Sequence, residues 1–180
     1  MNFKRIALNL LVTGLLLGLA TGCATTVPKA EFMLEIAPES KIAAKDEAQV
    51  KIDIGPDVTI TDLEKARLAK KIEEKIVARK ALNTMDGENK SYEIDLLLTR
   101  YDKGSAFARF MLAGLGQIHI DGEVKLVELP DRKQVGAFTV SKTFAWGGIY
   151  GGATSIEDIE QPFADGVAAA LTGQTEEENK

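Results

Sequence analysis

The sequence predicts an α+β fold: a two-layer sandwich in which a mixed four-stranded sheet carries two main helices on one face, in the order β, α, β, short helix, β, β, α. Three observations lead there. Two segments, 61–82 and 155–171, repeat apolar residues every third or fourth position, which is the period of an amphipathic helix. Four other stretches alternate apolar and polar residues, which is the period of a half-buried strand. The first helical segment separates two of these strands, so they form a parallel pair with a right-handed crossover.

The elements follow in order. Val50, Ile52 and Ile54 alternate with Lys51 and Asp53, and Gly55-Pro56 ends that strand. Thr61 and Glu64 have the spacing of a capping box; they open a helix to about Leu82 with Leu63, Ala66, Ala69, Ile72 and Ile76 assigned to its buried face. Asn83 to Lys90, with Asp86-Gly87, is a loop. Tyr92, Ile94, Leu96 and Leu98 give the second strand its inner face, and Leu97 breaks the alternation. Ile118, Ile120, Val124 and Leu126 do the same for the third, before a turn at Pro130-Asp131. The fourth, Val135 to Trp146, returns antiparallel with Phe138, Val140, Phe144 and Trp146 on one side.

The remaining segments carry more open readings. Gly147 to Gly152 reads as a flexible or tightly bent link. Ser155 and Asp158 mark a second helix start, and Ile156, Ile159, Phe163, Val167, Ala170 and Leu171 keep a stripe through Pro162. That implies either a kinked helix or one beginning at Pro162. Residues 172–180 read as a disordered acidic tail. Between the second and third strands, Ala106 to Leu115 is helical in composition and apolar nearly all round except for Arg109. Two readings of it stand side by side: burial against the domain's own core, or exposure of Phe107, Phe110, Met111 and Leu115 to a partner or a membrane.

The amino-terminal stretch is of another kind. Lys4 and Arg5 precede an uncharged apolar run from Ile6 to Leu19, then Ala20, Thr21, Gly22 and the only cysteine, Cys23. This is the layout of a secretory signal, and the run is too short for the roughly 20 apolar residues of a spanning helix. LLLGLATGC resembles the lipobox of bacterial lipoproteins, with Ala20 where the lipobox usually has leucine and Leu19 one residue further back. The resemblance implies cleavage before Cys23 and acylation of that residue, hence a signal peptide at 1–22. Residues 23–49, with Pro28, Pro38 and one apolar knot at Phe32 to Ile36, then read as the lipidated amino terminus and a tether to a single domain at 50–171. Ala24 and Thr25 lack the aspartate that retains lipoproteins at the inner membrane, so the periplasmic face of the outer membrane is the expected location.

Composition narrows the function. Removing Lys4 and Arg5 leaves 20 basic residues against 27 acidic, about seven net negative charges, which disfavours nucleic acid as a partner. His119 is the sole histidine and lies in a strand, so no nucleophile and base pair can be assembled. Gly114 to Gly116 lacks the continuation of a nucleotide-binding loop. Glu93, Asp95, Asp121 and Glu123 share the outer sheet face and read as a solvated, ion-paired surface rather than a metal site. No cofactor and no enzymatic activity is predicted. The run RYDKGSAFARFMLAGLGQIHIDGEVKLVE, followed by the glycine-rich segment and the last helix, resembles a family of Gram-negative lipoproteins of unknown function, similar to envelope-assembly accessory lipoproteins. The resemblance implies a lipid-anchored protein that docks an envelope protein partner in assembly or export. The other reading is a periplasmic ligand-binding or enzymatic domain with a pocket near Gly114 to Gly116 and Gly147 to Gly152.

Overall fold

A computed structural model describes residues 28–83, 88–112 and 114–173 of the chain. The predicted signal peptide, Cys23, the Asp86-Gly87 turn and most of the acidic tail lie outside the described residues. The chain forms β1 (Lys29–Leu34), a 3-10 turn at Pro38–Ser40, β2 (Glu47–Ile54), α1 (Asp62–Lys80), β3 (Ser91–Asp102), α2 (Ala106–Met111), β4 (Ile118–Leu129), β5 (Lys133–Phe144), α3 (Gly148–Ala153) and α4 (Ile156–Thr172).

The fold is α+β with one mixed sheet, but the sheet has five strands rather than four, in the order β1-β5-β4-β3-β2. β2 and β3 run parallel, as the crossover helix between them requires, and the other pairs are antiparallel. The added strand comes from the stretch assigned to the tether. β1 pairs with β5 from Lys29 opposite Ser141 to Leu34 opposite Ala137, and the Phe32 ring lies 5.4 Å from that of Phe138. Ile36 and Ile42 are buried beyond it, and the Ile42 amide donates to the Leu171 carbonyl at 3.0 Å. Asp46 accepts from the amides of Ala43 and Lys90 at 2.8 and 2.9 Å, closing the turn into β2. An edge strand needs only one buried face, and Ala30 and Phe32 supply it in too few residues to stand out as a period.

One sheet face is apolar and covered by α1 and α4, which pack on each other. Tyr92, Ile94, Leu96, Leu98, Ile118, Ile120, Val124, Leu126, Phe138, Val140 and Phe144 point into this core, following the alternation of the sequence. Gly122 lets α4 sit close: a Cβ there would stand 2.6 Å from a Leu96 methyl and 3.6 Å from the Phe163 ring. α1 begins at Thr61 with the expected capping box, but its buried stripe is Leu68, Ile72 and Ile76, while Leu63 is 77% exposed and Ala66 is exposed. At 100° per residue Leu63 and Ile72 point about 180° apart, so steps of three drifted off the face that steps of four hold. α4 starts at Ile156 on a Ser155–Asp158 capping box and runs on through Pro162, so its start at Pro162 is excluded.

Between the helices lies a buried ion network. Glu160 on α4 is fully buried and accepts from Arg67 Nε and Nη2, each at 2.9 Å, from Lys71 Nζ at 2.8 Å and from the Tyr101 hydroxyl at 2.7 Å. Burial pushes the Glu160 carboxyl upward, but hydrogen bonds from Arg67, Lys71 and Tyr101 outweigh it and hold the group below the usual carboxylate range. Glu160→Ala should lower the unfolding free energy in urea by about 3 kcal/mol, because it removes the buried carboxylate shared by the half-buried Arg67 and Lys71 and leaves Arg67 only Glu157, at 3.0 Å. Since the folded value lies below the unfolded one of about 4.3, this stabilisation is complete above that pH and disappears as pH falls through the folded value. Urea midpoints measured downward from pH 6 should therefore fall more for the parent than for Glu160→Gln.

Candidate functional site

The candidate site stands where β5 ends. α2 and α3 are two six-residue helices that pack side by side there. Ser105 caps α2, accepting from the Ala108 amide at 3.2 Å, and Lys103 just before it reaches Glu64 of α1 at 2.7 Å. The segment 147–152, expected to be a link, is instead largely helical, with Gly148 at φ +68° starting α3. Glycine has little helix propensity, so tertiary contacts supply the order.

Arg109 supplies much of it. Although α2 is otherwise exposed, this guanidinium is only 2% exposed. Its Nε donates to the Gly151 carbonyl at 2.8 Å, Nη2 to Thr154 at 2.9 Å, and Nη1 to Gly116 at 2.6 Å and Lys103 at 3.3 Å. The rigid fork of donors thus closes the carbonyl ends of α3 and both ends of the 103–116 loop around one group. Burial without a carboxylate partner lowers its pKa. Gly151 lets α3 fold back on the Trp146 backbone, since a Cβ there would lie 2.0 Å from the Trp146 carbonyl oxygen.

The outer surface of this pair is apolar. Phe107 is 74% exposed, Phe110 50%, Trp146 50% and Ile149 82%, and Met111, Leu112, Leu115 and Tyr150 are exposed beside them. Eight of the fifteen large exposed hydrophobic residues among those described therefore fall in two short segments that pack together. Trp146 and Tyr150 meet edge to face at 6.2 Å, and Tyr150 meets Phe144 at 5.8 Å. Of the two readings of Ala106 to Leu115, burial in the core is overturned: the segment has Arg109, not its phenylalanines, as its buried residue. Phe107, Phe110, Met111 and Leu115 share one platform. Trp146, Ile149 and Tyr150 complete it, and sequence reasoning missed them because their segment read as a glycine link.

Behind the platform runs an open groove of about 790 Å³, lined by Lys142, Phe144, Trp146, Tyr150, Ala153, Thr154, Asp158, Ile159 and Pro162. It borders Gly147 to Gly152, one of the two glycine segments near which the ligand-binding alternative puts a pocket. Burial pushes the Lys142 ammonium down from its ordinary value. On the far sheet face the four acidic residues are dispersed. Glu93 is buried between Lys51 and Arg132, the latter at 2.7 Å, and hydrogen bonds from Lys51 and then Arg132 hold its carboxyl below the usual range. Asp95 stands opposite Lys125, Glu123 opposite Leu97 and Asp121 opposite Arg100. Among the described residues no group of three or more potential ligands is placed to hold a metal ion. His119 Nδ1 lies 3.0 Å from the Thr143 hydroxyl, and burial, then Arg100, lowers its pKa.

A one-sided α+β sandwich with an apolar platform at one end of its sheet defines a class of domain built around a surface rather than a closed cleft. The chain belongs to the family described as domain of unknown function DUF4410, which it matches over residues 32–148. No curated protein matches it. Among solved structures it is similar to the PelC dodecamer from Paraburkholderia phytofirmans, at 11% identity and a TM-score of 0.54, covering 81% of this chain and 97% of that one. A point variant of that PelC in another crystal form gives 12% and 0.52 over the same shares. A minor lipoprotein from Acinetobacter baumannii is more distant, at 10% identity and a TM-score of 0.33 over 73% of this chain and 91% of that one. At these identities the PelC likeness is one of fold.

Arg109→Met should loosen the platform and spare the sheet. Hydrogen bonds to a charged group contribute about 1.5–3 kcal/mol each, so amide exchange in 103–116 and 147–154 is expected to accelerate tenfold or more. Exchange in β3 and β4 should stay at the parent rate. Equal acceleration everywhere would mean that Arg109 supports the whole domain.

Proposed function

We propose that this chain is a lipid-anchored accessory protein of the bacterial cell envelope, held through Cys23 at the periplasmic face of the outer membrane and docking an envelope protein in an assembly or export role. The observation that carries the reading is the platform. Exposed apolar patches of this kind mark sites of contact with a protein or a membrane, which places the domain against another envelope component, and a buried guanidinium ties this one together. Docking by preorganised surface needs no catalytic set, in keeping with the non-enzymatic reading. The lipobox-like LLLGLATGC supplies the anchor, since two or more acyl chains hold a domain stably on a bilayer. The PelC relative was solved as a dodecamer, which by analogy of fold supports a role in an assembly.

A second reading has the groove as its support. A space of about 790 Å³ beside Phe144, Trp146 and Tyr150 falls within the usual range for small-ligand sites, so a periplasmic ligand-binding role is the alternative.

Two measurements test the first reading. Metabolic labelling with a fatty acid should mark the parent and leave Cys23→Ser unlabelled; undiminished label in the variant would end the lipoprotein reading. Photo-crosslinking residues placed in cells at Thr139 on the open sheet face, at Lys51 on the β2 edge and at Ile149 should yield a discrete envelope-protein adduct from at least one position. An absence of adducts from all three would remove the protein-docking role and leave the groove as the site to pursue.

A further inference from the structure

We propose that the α2–α3 platform rests in the lipid–water interface of the membrane to which Cys23 is attached, setting the domain upright with its sheet end against the bilayer; this rests on the anchored reading above. The argument begins with reach. Lys29 is fixed in the sheet opposite Ser141 and stands six positions after Cys23, a span of at most about 22 Å even fully extended. The attachment point of the Cys23 acyl chains therefore lies within that distance of Lys29, which stands level with Ser141 along the strand axis.

Few surfaces of the domain satisfy this limit. Toward the far end of β5, Lys133 is eight residues from Ser141, about 26 Å along the strand, and thus beyond reach. Toward the near end, Trp146 is five residues away, about 17 Å or less. The open sheet face is also near, but it carries Asp121, Glu123, Lys125 and Asp95, which favour water. Met33 and Leu34 of β1 are exposed as well, but the platform gathers eight of the fifteen exposed large hydrophobic residues among those described. Its Trp146 and Tyr150 are the residue types that populate membrane interfaces, with Phe107, Phe110 and Ile149 beside them as apolar side chains of an interfacial surface. The net negative charge of the chain gives no electrostatic attraction to an anionic lipid surface, so the covalent anchor brings the domain there and the platform decides how it lands. A protein partner then meets the faces that remain turned to the periplasm.

Trp146 makes the proposal measurable, because it is the only tryptophan in the chain. The full-length acylated protein would be reconstituted into vesicles of phosphatidylethanolamine and phosphatidylglycerol, with and without acyl chains brominated near the headgroup, and followed by flotation and fluorescence. The expected result is flotation with a blue-shifted Trp146 emission that the brominated lipid quenches. The double variant Phe107→Ser, Ile149→Ser, altered only at exposed positions, should float equally and lose most of that quenching. Flotation with unquenched Trp146 in the parent would overturn the proposal and leave the anchor standing. Failure of the acylated parent to float would remove the anchored reading itself. A photo-crosslinker at Phe107 that captures protein and no lipid in cells would assign the platform to a protein instead.

Discussion

Glu160 is the charge on which the arrangement of this domain turns. A carboxylate at full burial is tolerable only if its oxygens are completely met, and here Arg67 and Lys71 of α1 and Tyr101 of β3 meet them. Three elements distant in sequence must therefore assemble in one register before the charge is compensated. The hydrophobic stripe of each helix drives it onto the sheet but permits rotation and sliding by a turn; the ion network and the Arg79 fork on Asp165, at 3.0 and 2.6 Å, do not. Aliphatic packing supplies most of the stability, and these partly buried ion pairs fix how the two helices face each other.

Arg109 solves a smaller version of the same problem with the opposite sign. Its partners are four backbone carbonyls, those of Gly151 and Thr154 at the end of α3 and those of Lys103 and Gly116 on either side of α2, so it ties the second helix to the loop that carries the first. A six-residue helix has too few internal bonds to persist alone. Two of them, one glycine-rich and both apolar on the outside, keep their shape because one guanidinium joins them. The platform is thus an appendage with its own lock, separable in principle from the core beneath α1 and α4.

Much of this was legible in the sequence. The inner faces of β3 and β4 alternate as read, the crossover helix dictated the parallel pair, the capping box sits at Thr61–Glu64, and of the two starts left open for the last helix the one at Ser155–Asp158 is found. What escaped has identifiable causes. β1 shows too few inward residues for a period, and it borrows its order from β5. Leu63 was put on the buried face of α1 by summing steps of three, which rotate away from the stripe. α3 has a composition that forbids a helix locally and acquires one only through Arg109, a residue 42 positions from Gly151. The exposure of Phe107 and Phe110 was likewise undecidable from composition, because an all-round apolar segment suits a core and a contact surface equally.

The pairing of β1 with β5 has a mechanical side. The anchor proposed at Cys23 would transmit its load to the domain at Lys29, the first residue of an edge strand. With the bilayer beyond the Trp146 end of the sheet, tension on that attachment runs along the strand axis. The ladder from Lys29 to Leu34 then bears the load in shear, its hydrogen bonds sharing the force together instead of parting one by one as in peeling. An edge strand that looks dispensable to the core is thereby the fitting through which the domain resists being pulled from its moorings.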